Sequence, residues 1–292
     1  MSESVAMDIP SRNFATAVIT GSHGGQDSSQ NAAILCDVAI PAGLTPESVP
    51  HGVVETLEVP SYHTWKRLWE IPVALALAPP ALLMTGLLAL VVRWTSPGNG
   101  IYSQVRSGRG GKPFTMYKLR SMRIDAEAQG IQWCEGEHDP RITPVGYWLR
   151  KLHLDELPQI INVLRGDMSF CGPRPERPEI VAQLQKVIPY YDSRLTIRPG
   201  ITGYSQINLP ADTDTSSVLK KQTLDLEYVE NASFYNDFKM VWCTALRLIG
   251  VPGSTATKVA GLTKRPEESR FAFFYQDMWR QIEDSSADKP AT

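Results

Sequence analysis

Residues 71–92 read IPVALALAPPALLMTGLLALVV, an uncharged run long enough to count as a membrane segment. Pro79 and Pro80 interrupt it. Each removes a backbone donor, and a proline inside a helix costs ~3 kcal/mol or more unless the chain bends there, so a bend is expected. Taken separately, the two halves rise about 13 Å and about 20 Å at about 1.5 Å per residue, both short of a hydrocarbon core of about 30 Å. Two topologies fit: a re-entrant hairpin broken at Pro79 and Pro80, or a proline-kinked helix that spans the bilayer. Lys66 and Arg67 precede the run and Arg93, Arg106 and Arg109 follow it. The positive-inside bias therefore does not assign its ends to opposite sides.

Upstream, residues 1–60 are rich in Ser, Gly, Ala and Pro with no sustained periodicity, which reads as a flexible leader. They lack the basic and apolar regions of a secretory signal. The whole chain has 292 residues and a formal net charge of -2, which argues against general nucleic-acid binding. Its middle is different: residues 97–208 carry 15 Lys and Arg against 11 Asp and Glu, an excess that suits an anionic substrate or a solvated surface. Cys36, Cys134, Cys171 and Cys243 have neither zinc nor disulfide spacing, and the five histidines are equally scattered. A reduced compartment with no structural metal, and no Ser-His-Asp chemistry, follows.

Downstream, residues 154–176 read LDELPQIINVLRGDMSFCGPRPE. Pro158 is tolerated in a first helical turn, which puts Asp155 near the N-cap of a helix running toward Gly166. There the orphan N–H groups and the positive dipole end favour an ionised carboxylate and a phosphate alike. An ionised Asp beside phosphate is a nucleophile candidate. Before this segment, Gly108, Gly110 and Gly111 precede PFTMYKLRSM, a β-favouring run that carries Lys118 and Arg120. Pro113 after Lys112 breaks the P-loop pattern, so the glycines read as a tight turn. After it, the loop of Arg198, Pro199 and Gly200 is followed by Gln206 and Asn208 with their amide donors and acceptors. From Phe234 on, Phe238, Val241, Trp242, Ala245 and Leu248 recur at helical spacing with Asp237 and Lys239 off that face. A buried stripe is the default reading, and its aromatics also suit a membrane interface; residues 271–282 carry the same ambiguity.

These residues share one chemistry. Arg150 lies five positions before Asp155, Arg174 is framed by Pro173 and Pro175, and Lys118 and Arg120 come from the earlier strand. Guanidinium forks read phosphate oxygens at two points, and a rigid frame lowers the entropy lost in doing so. Paired carboxylates with phosphate are also a usual Mg²⁺ environment, so divalent dependence through Asp155 and Glu156 is expected. The plain alternative for each residue is an N-cap, a first-turn dipole partner or a surface ion pair.

The segments GRGGKPFTMYKLRSM, RITPVGYWLRKLHLDELPQIINVLRGDMSFCGPRPE, RPGITGYSQIN and LDLEYVENASFYNDFKMVW, in that order, resemble the bacterial sugar transferases known as monotopic phosphoglycosyl transferases, over residues 65–244. The resemblance implies a mixed α/β, helix-rich catalytic domain with a re-entrant membrane hairpin and amphipathic interfacial helices. In chain order it implies a leader (1–60), a membrane helix (61–96), a cytoplasmic transferase domain (97–250) and a tail with an amphipathic helix (251–292), a small-type member. The implied reaction moves a sugar 1-phosphate from a UDP-sugar to undecaprenyl phosphate at the cytoplasmic face of a bacterial inner membrane, releasing UMP. Asp155 is then the nucleophile, Glu156 helps hold Mg²⁺ or handles the acceptor's proton, and Lys118, Arg120, Arg150, Arg174, Arg198 and Gln206 face phosphates or substrate. A homodimer stays open. Ala78 before Pro79 stands near an expected Ser-Pro, Asn99 replaces a usual Pro, and Leu209 replaces a frequent Gly, departures that bear on loop geometry. The alternative of a different class is a catalytically silent membrane-tethered scaffold for polysaccharide assembly.

Overall fold

The computed structural model describes residues 57–128, 139–210, 212, 215–248, 250–275 and 279. Most of the expected leader lies outside them. A short helix, α1 (Tyr62–Trp65), leads into α2 (Arg67–Thr95), a single 29-residue helix that runs through Pro72, Pro79 and Pro80. The helix is continuous through Pro79 and Pro80, where the expected topologies are a hairpin broken there or a proline-kinked helix. Its packing gives the reason. Glu70, Ala74, Ala78, Thr85 and Val92 are buried, and Ala81, Leu88 and Ala89 pack beside them, so a stripe repeating every three or four residues lies against the domain from end to end. That burial offsets the bonds the prolines forgo. Leu75, Leu83, Leu87 and Trp94 on the other faces are exposed. Among the described residues this is the one helix long and apolar enough to cross a membrane.

Beyond it, β1 (Ile101–Ser107) and β2 (Pro113–Leu119) form an antiparallel hairpin with Ile101 opposite Leu119 and Ser107 opposite Pro113. The expected tight turn joins them, with Gly110 and Gly111 at φ 65° and 74°. Helix α3 (Pro144–Lys151) opens on Thr143, whose hydroxyl accepts the Gly146 N–H at 2.9 Å. A 3₁₀ turn, Leu154–Gln159, then feeds α4 (Ile160–Arg165), which ends at Gly166 in the left-handed region. Strand β3 (Ser169–Cys171) pairs in parallel with β4 (Gly200–Thr202), and α5 (Pro178–Leu184) lies between them in sequence. Helices α6 (Tyr204–Asn208), α7 (Thr215–Asn231), α8 (Phe234–Leu248) and α9 (Gly253–Ala260) follow. The class is the expected mixed, helix-rich one, with two small sheets.

Helix α7 separates two cores. On one side Leu224 and Tyr228 meet Ala74 and Ala78 of α2, Val163 of α4 and Met240 of α8. On the other, Val218, Leu219 and Leu226 meet Val181 and Leu184 of α5 together with Phe271, Tyr275 and Trp279. The segment from residue 271 is thus core on its Phe271, Tyr275 and Trp279 side, while Phe273 points to solvent. In α8 the expected buried stripe is displaced. Phe238 and Trp242 are more than half exposed, with Phe234 and Tyr235 beside them, whereas Asp237, expected off the buried face, has no exposure at all. Lys66 explains the inversion: its ammonium waits 2.8 Å from Asp237 inside the core.

Candidate active site

Asp155 and Glu156 occupy the first turn of the 3₁₀ segment, with Pro158 inside it, where it forgoes the N–H that would reach the Asp155 carbonyl. Asp155 sits inside that turn, and His153 holds the cap position at φ 53°. A non-glycine residue there stores of order 1–3 kcal/mol, kept only where the surroundings impose it. The stretch from Arg150 at the end of α3 through His153 thus delivers the two carboxylates to the edge of β2.

Lys118 projects from β2 on the same face as buried Met116, and its ammonium lies 2.8 Å from Glu156 Oε1. Arg174 Nη1 reaches the same oxygen at 3.3 Å. Burial works to raise the Glu156 carboxyl, but the Lys118 ammonium and the Arg174 guanidinium outweigh it and hold it below the ordinary carboxylate range. Asp155 goes the other way. Burial raises its carboxyl, the Lys118 charge offsets that in part, and the Glu156 charge adds to the rise, with Arg150 and Arg174 pulling down. Among the described residues no side chain donates a hydrogen bond to the Asp155 carboxylate. Neighbouring carboxylates in unlike environments can take unlike roles.

Asn162 aligns the two halves of this pair. It is fully buried in α4, its Oδ1 accepts the Tyr117 N–H at 3.2 Å and its Nδ2 donates to the Thr115 carbonyl at 2.7 Å. A single carboxamide so replaces a neighbouring strand along the edge of β2, one residue from Lys118.

The Pro173, Arg174, Pro175 loop is gripped by its carbonyls, since two prolines supply no N–H. Gly200 N–H donates to Pro173 O at 2.9 Å, Arg194 Nη2 to Arg174 O at 3.1 Å and Arg106 Nη1 to Pro175 O at 3.1 Å. The Ser107 N–H then takes Glu176 O at 2.8 Å. Arg194 is itself fixed by Asp225 at 2.5 Å, whose other oxygen accepts the Ser205 hydroxyl at 2.7 Å. Gly172 and Gly200 lie back to back: a Cβ on Gly200 would meet Gly172 N at 2.1 Å, and one on Gly172 would meet Arg198 O at 2.5 Å.

The structure gathers Asp155, Glu156, Lys118, Arg150 and Arg174, and sends three other sequence candidates elsewhere. Arg120 donates to the Pro97 carbonyl, and to Ser96 O at 3.0 Å and Ser96 Oγ at 2.8 Å, closing the end of α2. Arg198 donates to Gly166 O at 3.0 Å and lines a separate cavity with His63, Lys66, Glu70 and Arg109. Gln206 lines a cleft that Arg174 also borders.

Behind the dyad lies a buried polar cluster that the sequence left unread. Lys66 Nζ donates to Cys171 O at 3.0 Å and to Tyr228 Oη at 3.0 Å, and pairs with Asp237 at 2.8 Å. Tyr62 and Tyr228 each donate to Asp237 at 2.8 Å. Glu70 Oε1 accepts the Phe170 N–H at 3.0 Å and the Ser169 hydroxyl at 2.5 Å. The foot of α2 is bolted in this way to β3, two residues before the proline frame. Asn162, Arg106 and Arg194 were equally unread; a lone amide inside the apolar run QIINVL was the one available signal.

A divalent cation fits the dyad. Lys118 and Arg174 both engage Glu156 Oε1, which leaves Glu156 Oε2 and the Asp155 carboxylate as hard oxygen donors near Arg150 and Arg174. Among the described residues no group of three or more His, Cys, Asp or Glu is placed to hold a metal, so the remaining ligands of such an ion come from substrate and water.

The profile of the family described as bacterial sugar transferase matches residues 61–250. The chain belongs to the bacterial sugar transferases. It is by that membership an enzyme of sugar-phosphate transfer. A Bacillus subtilis (strain 168) relative, provisionally named an undecaprenyl-phosphate N-acetylgalactosaminyl 1-phosphate transferase, is 47% identical over 46% of this chain and 74% of its own. The Aeromonas hydrophila UDP-N-acetylgalactosamine-undecaprenyl-phosphate N-acetylgalactosaminephosphotransferase is 39% identical over 64% of this chain and 44% of its own. The Escherichia coli (strain K12) UDP-glucose:undecaprenyl-phosphate glucose-1-phosphate transferase is 42% identical over 55% and 35%. The sugar transferase therefore spans less than half the length of the last two.

Proposed function

We propose that this sugar transferase moves a sugar 1-phosphate from a UDP-sugar to undecaprenyl phosphate in two displacements at Asp155. The observation that carries the reading is the buried Asp155 carboxylate, to which no described side chain donates, beside an ionised Glu156 paired with Lys118 and Arg174. An Asp155 oxygen attacks the phosphorus that bears the sugar, forming an acyl phosphate as the bond to UMP breaks and UMP departs with the electron pair. A phosphate oxygen of the lipid then attacks the same phosphorus, the bond to Asp155 breaks, and a lipid diphosphate sugar leaves. Lys118, Arg150 and Arg174 hold the phosphates through both steps. Asp155 and Glu156 Oε2 would hold Mg²⁺, which when bound supplies positive charge against the diphosphate.

Both ends of α2 are held by the catalytic domain, Arg67 by the Val163 carbonyl at 2.6 Å and Ser96 by Arg120, which supports a topology with both ends of the helix on one face of the membrane. The flanking Lys66, Arg67 and Arg93 favour the cytoplasmic face of a bacterial inner membrane. Purified protein given UDP-sugars, Mg²⁺ and polyprenyl phosphate is expected to release UMP, to stop with chelator and to resume with Mg²⁺. Full turnover by Asp155→Asn would sink the covalent mechanism, and no UMP from any donor would favour the scaffold. Single cysteines at Glu58 and Asn99, both exposed, are expected to label from the same side; labelling from opposite sides would reject the re-entrant topology.

A further inference from the structure

Gln206 stands in the cleft beyond Arg174 with neither half of its carboxamide satisfied: Oε1 and Nε2 are both buried, and among the described residues neither has a hydrogen-bond partner. Buried amides rarely stay so, because each unmade bond costs the desolvation of its atom. The walls of the cleft include apolar Ile180, Leu184 and Val218. A side chain presenting one donor and one acceptor in a plane, beside these apolar side chains and among the charged Glu176, Arg194, Asp212 and Lys221, calls for a flat ligand with the complementary pair. Resting on the function proposed above, we infer that this cleft takes the uracil of the UDP-sugar, read at its imide edge by Gln206.

Two features assign the nucleoside, rather than the sugar, to this side. Arg174 borders the cleft and also touches Glu156, so the cleft is reached from Asp155 by way of Arg174. In a displacement on phosphorus the attacking and leaving oxygens lie in line, so the UMP portion extends away from Asp155. Its phosphate then meets Arg174 and its base continues into the cleft. The uracil N3–H donates to Gln206 Oε1 while a flanking ring carbonyl accepts from Nε2. Arg194, whose Nε is likewise buried without a partner, holds the Arg174 carbonyl and shares the cleft wall.

The test is a titration of the full-length protein in lipid nanodiscs with UMP and with N3-methyl-UMP. Wild type is expected to bind UMP at least roughly tenfold tighter than the methylated nucleotide, because a site built to hydrogen-bond rejects the analogue that cannot. Gln206→Leu and Gln206→Met are expected to bind both equally weakly, and to melt at a higher temperature than wild type without nucleotide, since two unsatisfied polar atoms are gone. A merely structural glutamine would give a lower melting temperature. UMP affinity unchanged in both variants, or wild type unable to tell the two nucleotides apart, overturns the inference, as does altered sugar preference at constant UMP affinity. Wild type that binds no UMP instead removes the UDP-sugar reading itself.

Discussion

Asp155 and Glu156 are sequence neighbours whose proton affinities are driven in opposite directions. Glu156 stays ionised because Lys118 and Arg174 share one of its oxygens, while burial lifts Asp155. Attack requires the ionised Asp155, so UMP release should fall as pH drops through its raised value. That acid limb should therefore lie above the ordinary aspartate value of about 4. Lys118→Met removes a charge that lowers Asp155, so its limb should move to still higher pH; a limb that stays in place would show that Lys118 does not act on Asp155. Arg174→Lys keeps a charge but loses the planar fork, and kcat is expected to fall by roughly 10²-fold or more, measured as UMP release at saturating donor. The dyad and the proline frame were legible in sequence because a few adjacent residues define them. Which cations face them was not. Arg120 and Arg174 are both arginines near the site, and only the tertiary fold sends the first to the end of α2 and the second to Glu156.

At the level of elements, short segments hold the site through contacts that no regular ladder supplies. Asn162 serves as the partner of β2's free edge, so Asn162→Leu leaves the Tyr117 N–H and the Thr115 carbonyl unpaired. Such groups cost about 1–3 kcal/mol each, and the variant should show both a lower melting temperature and a lower kcat. An unchanged melting temperature would deny Asn162 this role. Gly172→Ala drives a methyl into the Arg198 carbonyl and is expected to cost activity even where the protein still folds. Helix α2 was legible as an element from its apolar run, and the β2 strand from its β-favouring residues. The continuity of α2 through Pro79 and Pro80 was not, because local proline chemistry favours a break and only the packed stripe from Glu70 to Val92 overrides it. Asp237 misled for a related reason: periodicity counts a carboxylate as surface, and its partner Lys66 lies 171 positions away.

At the scale of the whole molecule, exposed large apolar side chains among the described residues are most numerous on α2, and α8 adds a second group. The outward residues of α2 form one group, and Phe234, Tyr235, Phe238 and Trp242 of α8 form the other. Exposed aromatics at this density suit the bilayer interface. Replacing Phe238 and Trp242 together with Ser should leave the melting temperature in detergent nearly unchanged and lower the fraction that sediments with lipid vesicles. A large fall in melting temperature would mark them as core instead. Asp237→Leu, by contrast, removes the nearer countercharge of the buried Lys66 ammonium, leaving Glu70 at 3.8 Å, and should destabilise by about 3 kcal/mol.

The same ammonium sets an order of events during biosynthesis. Lys66 is translated before any of its partners, the carbonyl of Cys171, the Tyr228 hydroxyl and Asp237. The nascent apolar helix is therefore free to reach lipid while the rest of the domain is still being made. Asp237, emerging near the end, finds its countercharge only where that helix has already settled. A chain whose helix has gone astray has no cation for Asp237 and no hold on the Cys171 carbonyl. The grip on β3, two residues ahead of the proline frame, thereby depends on where α2 comes to lie.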